Sequence, residues 1–576
     1  MQIKEVCILT GLSAKAIRLY ESKGLVSARR AANDYRDYTD EQIERLSAIR
    51  RFRMAGISLA DIRLWADGLL DAETLFQKRL QELSEESGKN KEQEKLCFAY
   101  LKQPAFPDCT AEEALFDDPE LLRPADESSK HRLSLGIDIG TTTISAAVAD
   151  MDAHCQIACY TLPNKSTVKT NESYRHEQDA AWIADKLSKF LESVIGAFPG
   201  ICSIGMTGQM HGIVYTAADG NAVSPLYTWQ DTRAAQIEAD NASYTQRILD
   251  KTGYTVMPGY GFATHYYNVR NGLVPETAVS LCTIGDYAVM RTTGNTHPLL
   301  HASNAASLGF FDQKAGSFDR AALEKMGLSA DFLPEVAVGE PVAGLYHGIP
   351  VTVAIGDNQA AFFGSVRDEQ NDLSVNYGTG SQISLCVNAD FPTPHLPLER
   401  RPYIEGRALL NGSALCGGRA YALLEKFIRA VRETDTEQYD FLNALAEKGL
   451  SAEKPLEVRT TFCGSRKDPA LRGSIEQIGE DNFTPEALAC GVLQGMVNEL
   501  YALYRQSGVE LHGRLIASGN LLAQTFRLPT VLPALREEAA FGAALAAAHI
   551  ALSVPLNEVK SCIPYHPDMP DEHKKG

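Results

Sequence analysis

The sequence predicts an α/β chain with an internal duplication, carried behind an all-α basic head. Three observations predict it. Two stretches, LSLGIDIGTTTISAAVAD (133–150) and LSVNYGTGSQISLCVN (373–388), share one layout: an alternating strand, a Gly/Thr turn and a second alternating strand. Helical spacing of apolar residues dominates the first hundred positions instead. Charge also changes sign: the first 65 residues hold 12 Lys/Arg against 8 Asp/Glu, although the 576-residue chain carries −18 overall. A basic head on an acidic body is the asymmetry expected when one end alone meets nucleic acid.

The length is too great for a single core and predicts several domains. With 44% apolar and 22% charged residues, the composition is that of a folded soluble protein. Twelve cysteines, scattered from Cys7 to Cys562 without a Cys-x-x-Cys pair, fit reduced thiols better than a disulfide framework or zinc site. Met1–Thr10 contains Lys4 and Glu5 and lacks a cleavage site, so no signal peptide is expected. The weakly polar run Phe541–Val554 is too short to span a bilayer and contains His549. A cytoplasmic chain with no membrane partner is the expectation.

In the head, IKEVCILTGLSAKAIRLYESKGLV (3–26) spaces Val6, Ile8, Leu9, Leu12, Ile17, Leu19 and Leu25 as two short helices joined at 10–13. Ser13 suits the N-cap of the second, which would run to about Glu21. The pattern fits either an ordinary helical hairpin or a helix-turn-helix presenting Lys15, Arg18 and Tyr20 outward. The next stretch, ARRAANDYRDYTDEQIERLSAIRRFRMAGISLADIRLW (28–65), resembles the wing and second helix pair of the MerR family of transcription regulators. IRxYExxGL at 17–25, YRxY at 35–38 and GxSLxxIR at 56–63 carry that resemblance.

It implies a winged helix-turn-helix domain at 1–71 on double-stranded promoter DNA. Lys15, Arg18, Tyr20, Arg36 and Tyr38 would touch DNA, and Arg29 and Arg30 would lie along the wing. Asp34 stands where the family usually has Gly; Asp tolerates a left-handed turn but adds negative charge near phosphate. The resemblance also implies a homodimer through a helix at 72–102, with Leu75, Leu80 and Leu83 at its start and Leu96, Phe98 and Leu101 at its end. Gly88 interrupts that helix. Cys97 and Cys109 show no ligand spacing and read as structural. The Pro-rich, acidic 103–130 reads as a linker.

In the body, both Gly/Thr turns offer backbone N–H groups and hydroxyls without bulky side chains, as close approach of a polyphosphate requires. Three patches lie between them. MTGQMHGIVY (206–215) sets Gln209, Met210 and His211 between glycines; His211 is either a satisfied core histidine or a ligand contact. YTWQDTRA (227–234) brings Trp229, Asp231 and Arg233 together, as a surface ion pair or as part of a site. IPVTVAIGDNQAAFFGS (349–365) runs an apolar strand through Gly356-Asp357-Asn358 into a helix, placing a carboxylate at a helix start, either as a cap or as a reactive group.

These five patches in this order resemble the FGGY family of carbohydrate kinases over about 131–555. GQMHG (208–212), PGYG (258–261), TIGDY (283–287) and SNAASLGFFD (303–312) point within it to the sedoheptulokinase group, with xylulokinase-like sugars next. The resemblance implies a duplicated actin-like, ribonuclease-H-like two-lobe fold, with lobes at 131–365 and 366–576 and with sugar and ATP bound in the cleft. Asp357 would be the general base, and Asp138 and Asp357 would hold Mg2+. Gly140, Thr141, Thr142, Gly378, Thr379, Gly380, Gly519 and Asn520 would meet ATP, while Gln209, Met210, His211, Trp229, Asp231, Arg233 and Asn358 would meet the sugar. The adenosine segment LIASGNLLAQTFRLPTVLPALREEAAFGAAL (515–545) departs from the family pattern, because the helix after Gly519-Asn520 is several residues short. Two functions stay open: a ketose kinase joined to a DNA-binding regulator, or a regulator whose kinase fold only senses sugar.

Overall fold

The computed structural model describes residues 6, 17–18, 20–21, 23–26, 29–30, 36–85, 131–238, 241–377, 380–393, 396–450, 455–464, 470–517 and 520–565. In the head, Ile17, Arg18, Tyr20 and Glu21 are helical, in keeping with a second helix reaching about Glu21. Strands β1 (Arg29–Arg30) and β2 (Arg36–Asp37) pair antiparallel as a short wing. Helices α1 (Asp40–Met54), α2 (Leu59–Ala66) and α3 (Ala72–Glu85) follow. Thr39 and Gln42 form a reciprocal capping box at the start of α1, and Ser58 accepts the Asp61 N–H at the start of α2.

Phe52 packs its ring 5.0 Å from Trp65 and 5.3 Å from Phe76, closing the head's core. Leu75 and Phe76 are therefore spent inside the head, where the sequence reading had placed Leu75 in a dimer seam. Lys15, Asp34 and the remainder of the dimerisation helix and linker beyond residue 85, with Gly88, Cys97 and Cys109, lie outside the described residues.

Two large sheets, with several small ones beside them, organise the body among the described residues. The first joins β3 (Leu133–Ile139), β4 (Thr143–Asp150), β5 (Cys155–Pro163), β6 (Ile201–Gly208), β7 (Val342–Tyr346) and β8 (Ile349–Thr352) in the order β7-β8-β6-β3-β4-β5, with β9 (Ile355–Gly356) beside β6. Helix α4 (Asp357–Ser365) leaves β9 directly. The second joins β10 (Leu373–Tyr377), β11 (Ser381–Asn388), β12 (Glu399–Pro402), β13 (Arg407–Ala414), β14 (Leu515–Ile516) and β15 (Thr530–Val531) in the order β12-β13-β11-β10-β14-β15.

The duplication is visible in the pairing. In each sheet the first strand makes an antiparallel hairpin with the second and lies parallel to a later strand on its other side: β3 with β4 and β6, β10 with β11 and β14. Chain order 3-2-1-4-5 thus recurs as β5-β4-β3-β6-β8 and β13-β11-β10-β14-β15.

Helices α5 (Asn520–Phe526) and α6 (Glu538–Leu552) complete the elements needed here. Although late in the chain, α6 packs on the first sheet, and its run Ala540–Ala548 is buried throughout. Backbone contact makes this possible. A Cβ on Gly136 of β3 would lie 1.8 Å from the Ala540 carbonyl oxygen, and one on Gly542 would lie 1.8 Å from the Ala360 carbonyl oxygen of α4. Gly542→Val is expected to cost about 3 kcal/mol or more, because backbone rather than a movable side chain stands in the way. Thermal denaturation checks this; a melting temperature equal to that of the parent would contradict the close crossing of α4 and α6.

The head touches the first sheet at its β5 edge. Lys186 Nζ donates to the Gly68 carbonyl at 3.2 Å, and the Lys78 ammonium lies 5.3 Å from the centre of the Tyr160 ring. Between them a cavity of about 380 Å³ is lined by Thr74, Gln77 and Lys78 of the head and by Thr161, Arg536 and Glu537 of the body.

Candidate active site

The first Gly/Thr turn is fixed by its own backbone and by Asn164. The Gly140 N–H donates to the Thr143 carbonyl at 2.9 Å, the Asn164 amide donates to the Gly140 carbonyl at 2.9 Å, and the Asn164 N–H donates to the Thr142 carbonyl at 2.7 Å. Gly140 therefore shapes the turn, and its N–H is not available to a phosphate as the sequence reading supposed. Thr141 is held from three sides. Its carbonyl accepts from the Gln178 amide at 2.7 Å, and its hydroxyl accepts from the Trp229 indole at 3.1 Å and donates to Gln209 at 3.4 Å.

At the end of β3, one carboxylate oxygen of Asp138 is buried without a hydrogen-bond partner. Burial pushes the Asp138 carboxyl up to about 7, and the carboxylates of Asp357 and Glu537 add to the shift. Asp357 is the first residue of α4, after Gly356 as N-cap. It accepts the Asn358 N–H at 2.6 Å. Burial raises its carboxyl to about 6, opposed by that N–H and by the Arg401 guanidinium. Gly356 rather than Asp357 is the N-cap, and the Asp357 carboxylate takes one N–H of the first helical turn.

The strand ahead of Asp357 is anchored by a buried network. The Gly356 N–H donates to Ser303 at 2.9 Å, and Asn304 donates to both the Ala354 carbonyl and Asp286. Asp286, raised to about 7 by burial, also closes a capping box with Thr283.

Beside this strand end lies a cavity of about 160 Å³ between the two sheets' territories, walled by Met210, His211 and Tyr260 on one side and Glu399, Arg400 and Arg401 on the other. His211 takes a left-handed backbone (φ 73°), its Nδ1 lies 2.8 Å from the Ser307 carbonyl, and its ring stacks on Tyr260 at 4.3 Å. It is both tied down at a tight turn and exposed to the cavity.

Residues 133–364 match the N-terminal domain of the FGGY family of carbohydrate kinases, and residues 1–69 match the MerR helix-turn-helix family of regulatory proteins. The chain joins a MerR-type helix-turn-helix domain to an FGGY carbohydrate-kinase domain. Mouse sedoheptulokinase is 25% identical over 438 residues, covering 68% of this chain and 90% of that protein. Glycerol kinase 2 of Sulfolobus acidocaldarius is 26% identical, covering 72% and 88%. The structure of a ligand-bound xylulose kinase from Lactobacillus acidophilus superposes with a TM-score of 0.63 at 20% identity, covering 75% and 92%, and shares the two-lobe fold.

Within the FGGY domain, the sequence-expected residues divide into three groups. Met210 and His211 line the 160 Å³ cavity, Asp357 stands at the strand end beside it and acts on Asp138, and Thr141 lines a separate pocket with Gln178 and Thr228. Gln209, Asp231 and Arg233 were expected to line the sugar site and instead lie behind it. Gln209 is buried and donates to Gln178 at 2.7 Å. Asp231 is fully buried; its carboxylate binds Arg233, whose remaining N–H groups reach Glu177 at 2.7 Å and Asn268 at 2.9 Å. With those acceptors around it and the Tyr227 ring 4.2 Å away, Arg233 is taken up by a buried structural network. Trp229 is 48% exposed at the mouth, and Asn358 contributes its backbone N–H to Asp357. The third group is only partly visible. Gly380 follows β10, but Gly378, Thr379, Gly519 and the Asn520 side chain lie outside the described residues. Glu399, Arg401, Tyr260 and Glu537 were missed as site residues.

The donor set fits a divalent cation. Among the described residues no three metal-ligating side chains cluster, but the buried, unpartnered Asp138 oxygen beside Asp357 suits an ion that keeps waters and phosphate oxygens as its other ligands. In the MerR-type head, Arg18 is exposed on its helix. Tyr20 and Tyr38, expected on DNA, are buried, and the Tyr38 hydroxyl donates to Glu21 at 2.9 Å. Both rings belong to the head's core, with Ile17, Leu25, Val26 and Ile49 among its buried residues. The Arg29, Arg30 and Arg36 backbones form the wing. Among the described residues no helix is long and apolar enough to cross a membrane.

Proposed function

We propose that the chain is an ATP-dependent ketose kinase, with sedoheptulose the leading substrate, whose head binds double-stranded promoter DNA as a homodimer. The observation that carries the kinase reading is the pair of half-buried carboxylates, Asp138 and Asp357, one near the end of the Gly/Thr hairpin strand and one at a helix N-terminus. ATP with Mg2+, when bound, supplies the phosphoryl group and the counter-charge for its oxygens. Asp357, raised to about 6, is poised near neutral pH to accept the proton of a primary hydroxyl. Asp138 holds the metal side of the cleft, Thr141 and Thr142 face the phosphates, and His211 on Tyr260 forms a flat wall for the sugar. The test is ADP release from MgATP over a panel of sedoheptulose, xylulose and glycerol. Ketose-dependent release supports the reading, and none above the ATP background contradicts it.

A second reading, a sugar sensor with little catalysis, is favoured by one observation. Helix α5 has seven residues, against about a dozen expected of an adenosine segment. Ketose binding without turnover in the same panel would favour it.

For the head, the exposed Arg18 and the arginine-bearing wing support phosphate contacts. Arg18→Ala and Arg36→Ala are expected to weaken binding to all duplexes alike and to reduce its salt dependence, each by about one counterion. Gel-shift titration of the full chain at two salt concentrations checks this. Coupling between head and cleft has a material path. Glu537, left-handed (φ 54°) at the start of α6, accepts the Thr161 hydroxyl at 2.8 Å beside the head cavity and is one of the carboxylates acting on Asp138.

A further inference from the structure

The far wall of the 160 Å³ cavity is built by β12, an edge strand of the second sheet. Three consecutive residues on it are fixed against other parts of the chain. Arg400 and Gln313 bond each other twice, Gln313 Nε2 donating to the Arg400 carbonyl at 2.7 Å and Arg400 Nε donating to Gln313 Oε1 at 3.1 Å. A second Arg400 donor, Nη1, is taken by the Phe391 carbonyl at 2.9 Å. The Pro402 carbonyl accepts from Gln359 at 3.0 Å, in the same helical turn as Asp357. Arg401 stands between these two anchors with its side chain only 12% exposed, and its guanidinium donates to Glu399 at 2.6 and 3.2 Å.

With Asp357 counted, the charges here balance: Arg400, whose side chain is taken up by Gln313 and Phe391, and Arg401 stand against Glu399 and Asp357. Arg401 offers donors in a planar fork and Glu399 offers an acceptor, which together match two neighbouring hydroxyls of one sugar. An anionic substrate would gain Arg401 but face the carboxylates of Glu399 and Asp357. We infer that Arg401 and Glu399 are a specificity-determining pair that binds adjacent hydroxyls of a neutral polyhydroxy sugar and rejects the corresponding sugar acids. This rests on the ketose-kinase reading of the same site and adds to it the class of substrate and the residues that choose it. Removing the Glu399 charge should relax the discrimination; blunting the Arg401 fork while keeping its charge should weaken the sugar alone.

The experiment is calorimetric titration of the full chain, without nucleotide, with sedoheptulose, xylulose and gluconate. The parent is expected to bind a ketose at least tenfold more tightly than gluconate. Arg401→Lys should weaken ketose binding tenfold or more, and Glu399→Gln should narrow the ketose-to-gluconate ratio by tenfold or more. The two variants report independently, so loss of fold in one leaves the other decisive; melting temperature identifies that case. Gluconate bound as tightly as ketose by the parent, no ketose binding at all, or ratios unmoved in the folded variants would each overturn the inference. Because binding is read without ATP, an inactive chain that still shows these shifts would sink the kinase reading and leave the specificity pair standing.

Discussion

Asp357→Ala should abolish ketose phosphorylation, lowering kcat by about a thousandfold, while sugar binding stays within about tenfold of the parent. The split follows from position. Asp357 sits at the first turn of α4, at the end of the strand held by Ser303 and Asn304, and its carboxylate is engaged by one N–H, that of Asn358. The sugar wall is made mainly by other residues, Met210, His211, Tyr260, Glu399 and Arg401, and Arg401, whose charge acts on Asp357, is also held by its bonds to Glu399. A coupled ADP assay with a calorimetric sugar titration measures both quantities. Turnover comparable to that of the parent would remove Asp357 from the base role.

Asp138→Asn is expected to have the second-largest effect, and in two directions. Loss of the metal-side carboxylate should lower turnover by a hundredfold or more. The same change should stabilise the metal-free protein at high pH. The sign is set by the raised carboxyl: with a folded value near 7 against 3.8 for the free group, the folded state binds more protons between those pH values. Stability contributed this way is complete below pH about 4 and is lost as pH rises through 7. Asparagine carries no charge, so the variant should match the parent near pH 4 and exceed it at pH 8 by on the order of 2 kcal/mol. In the parent, turnover and metal-free stability should therefore run in opposite senses, turnover rising through pH 6 as Asp357 ionises. Melting curves at pH 4 and pH 8 in the presence of a chelator test the stability half. A variant no more stable than its parent at pH 8 would contradict an Asp138 carboxylate with one buried, unpartnered oxygen.

Much of the fold was legible because its signals are local. Period-two alternation around a Gly/Thr turn marked β3–β4 and β10–β11, and a strand running into small residues marked the start of α4 at Asp357. The shortness of α5 was also readable. Pairings made by the tertiary fold were not. Asp231 and Arg233 look like an exposed charged pair in sequence, yet Glu177 and Asn268, distant in the chain, complete a buried shell around that guanidinium. Arg401 and Glu399 sit on an edge strand with no periodic pattern and acquire meaning only where the second sheet closes on Met210 and His211. Tyr20 and Tyr38 follow the regulator pattern in sequence, but burial in a small core decided their place. Gly136 and Gly542 gave no sign that backbones cross there, because a glycine's lack of a side chain carries no direction.

We propose that cleft and head act as one device, joined where Lys78 meets Tyr160 and through Glu537, which lines the head cavity and whose charge acts on Asp138. Coupling of this kind is reciprocal and typically amounts to about 5- to 150-fold in affinity. The direct measurement is the ketose dissociation constant of the full chain, by calorimetry, with and without a saturating duplex that the chain itself has selected from a random library. The expected result is a shift of at least fivefold in ketose affinity, matched by an equal shift in duplex affinity when ketose is present. Identical affinities in both experiments would show that the head and the kinase domain share a chain and nothing more.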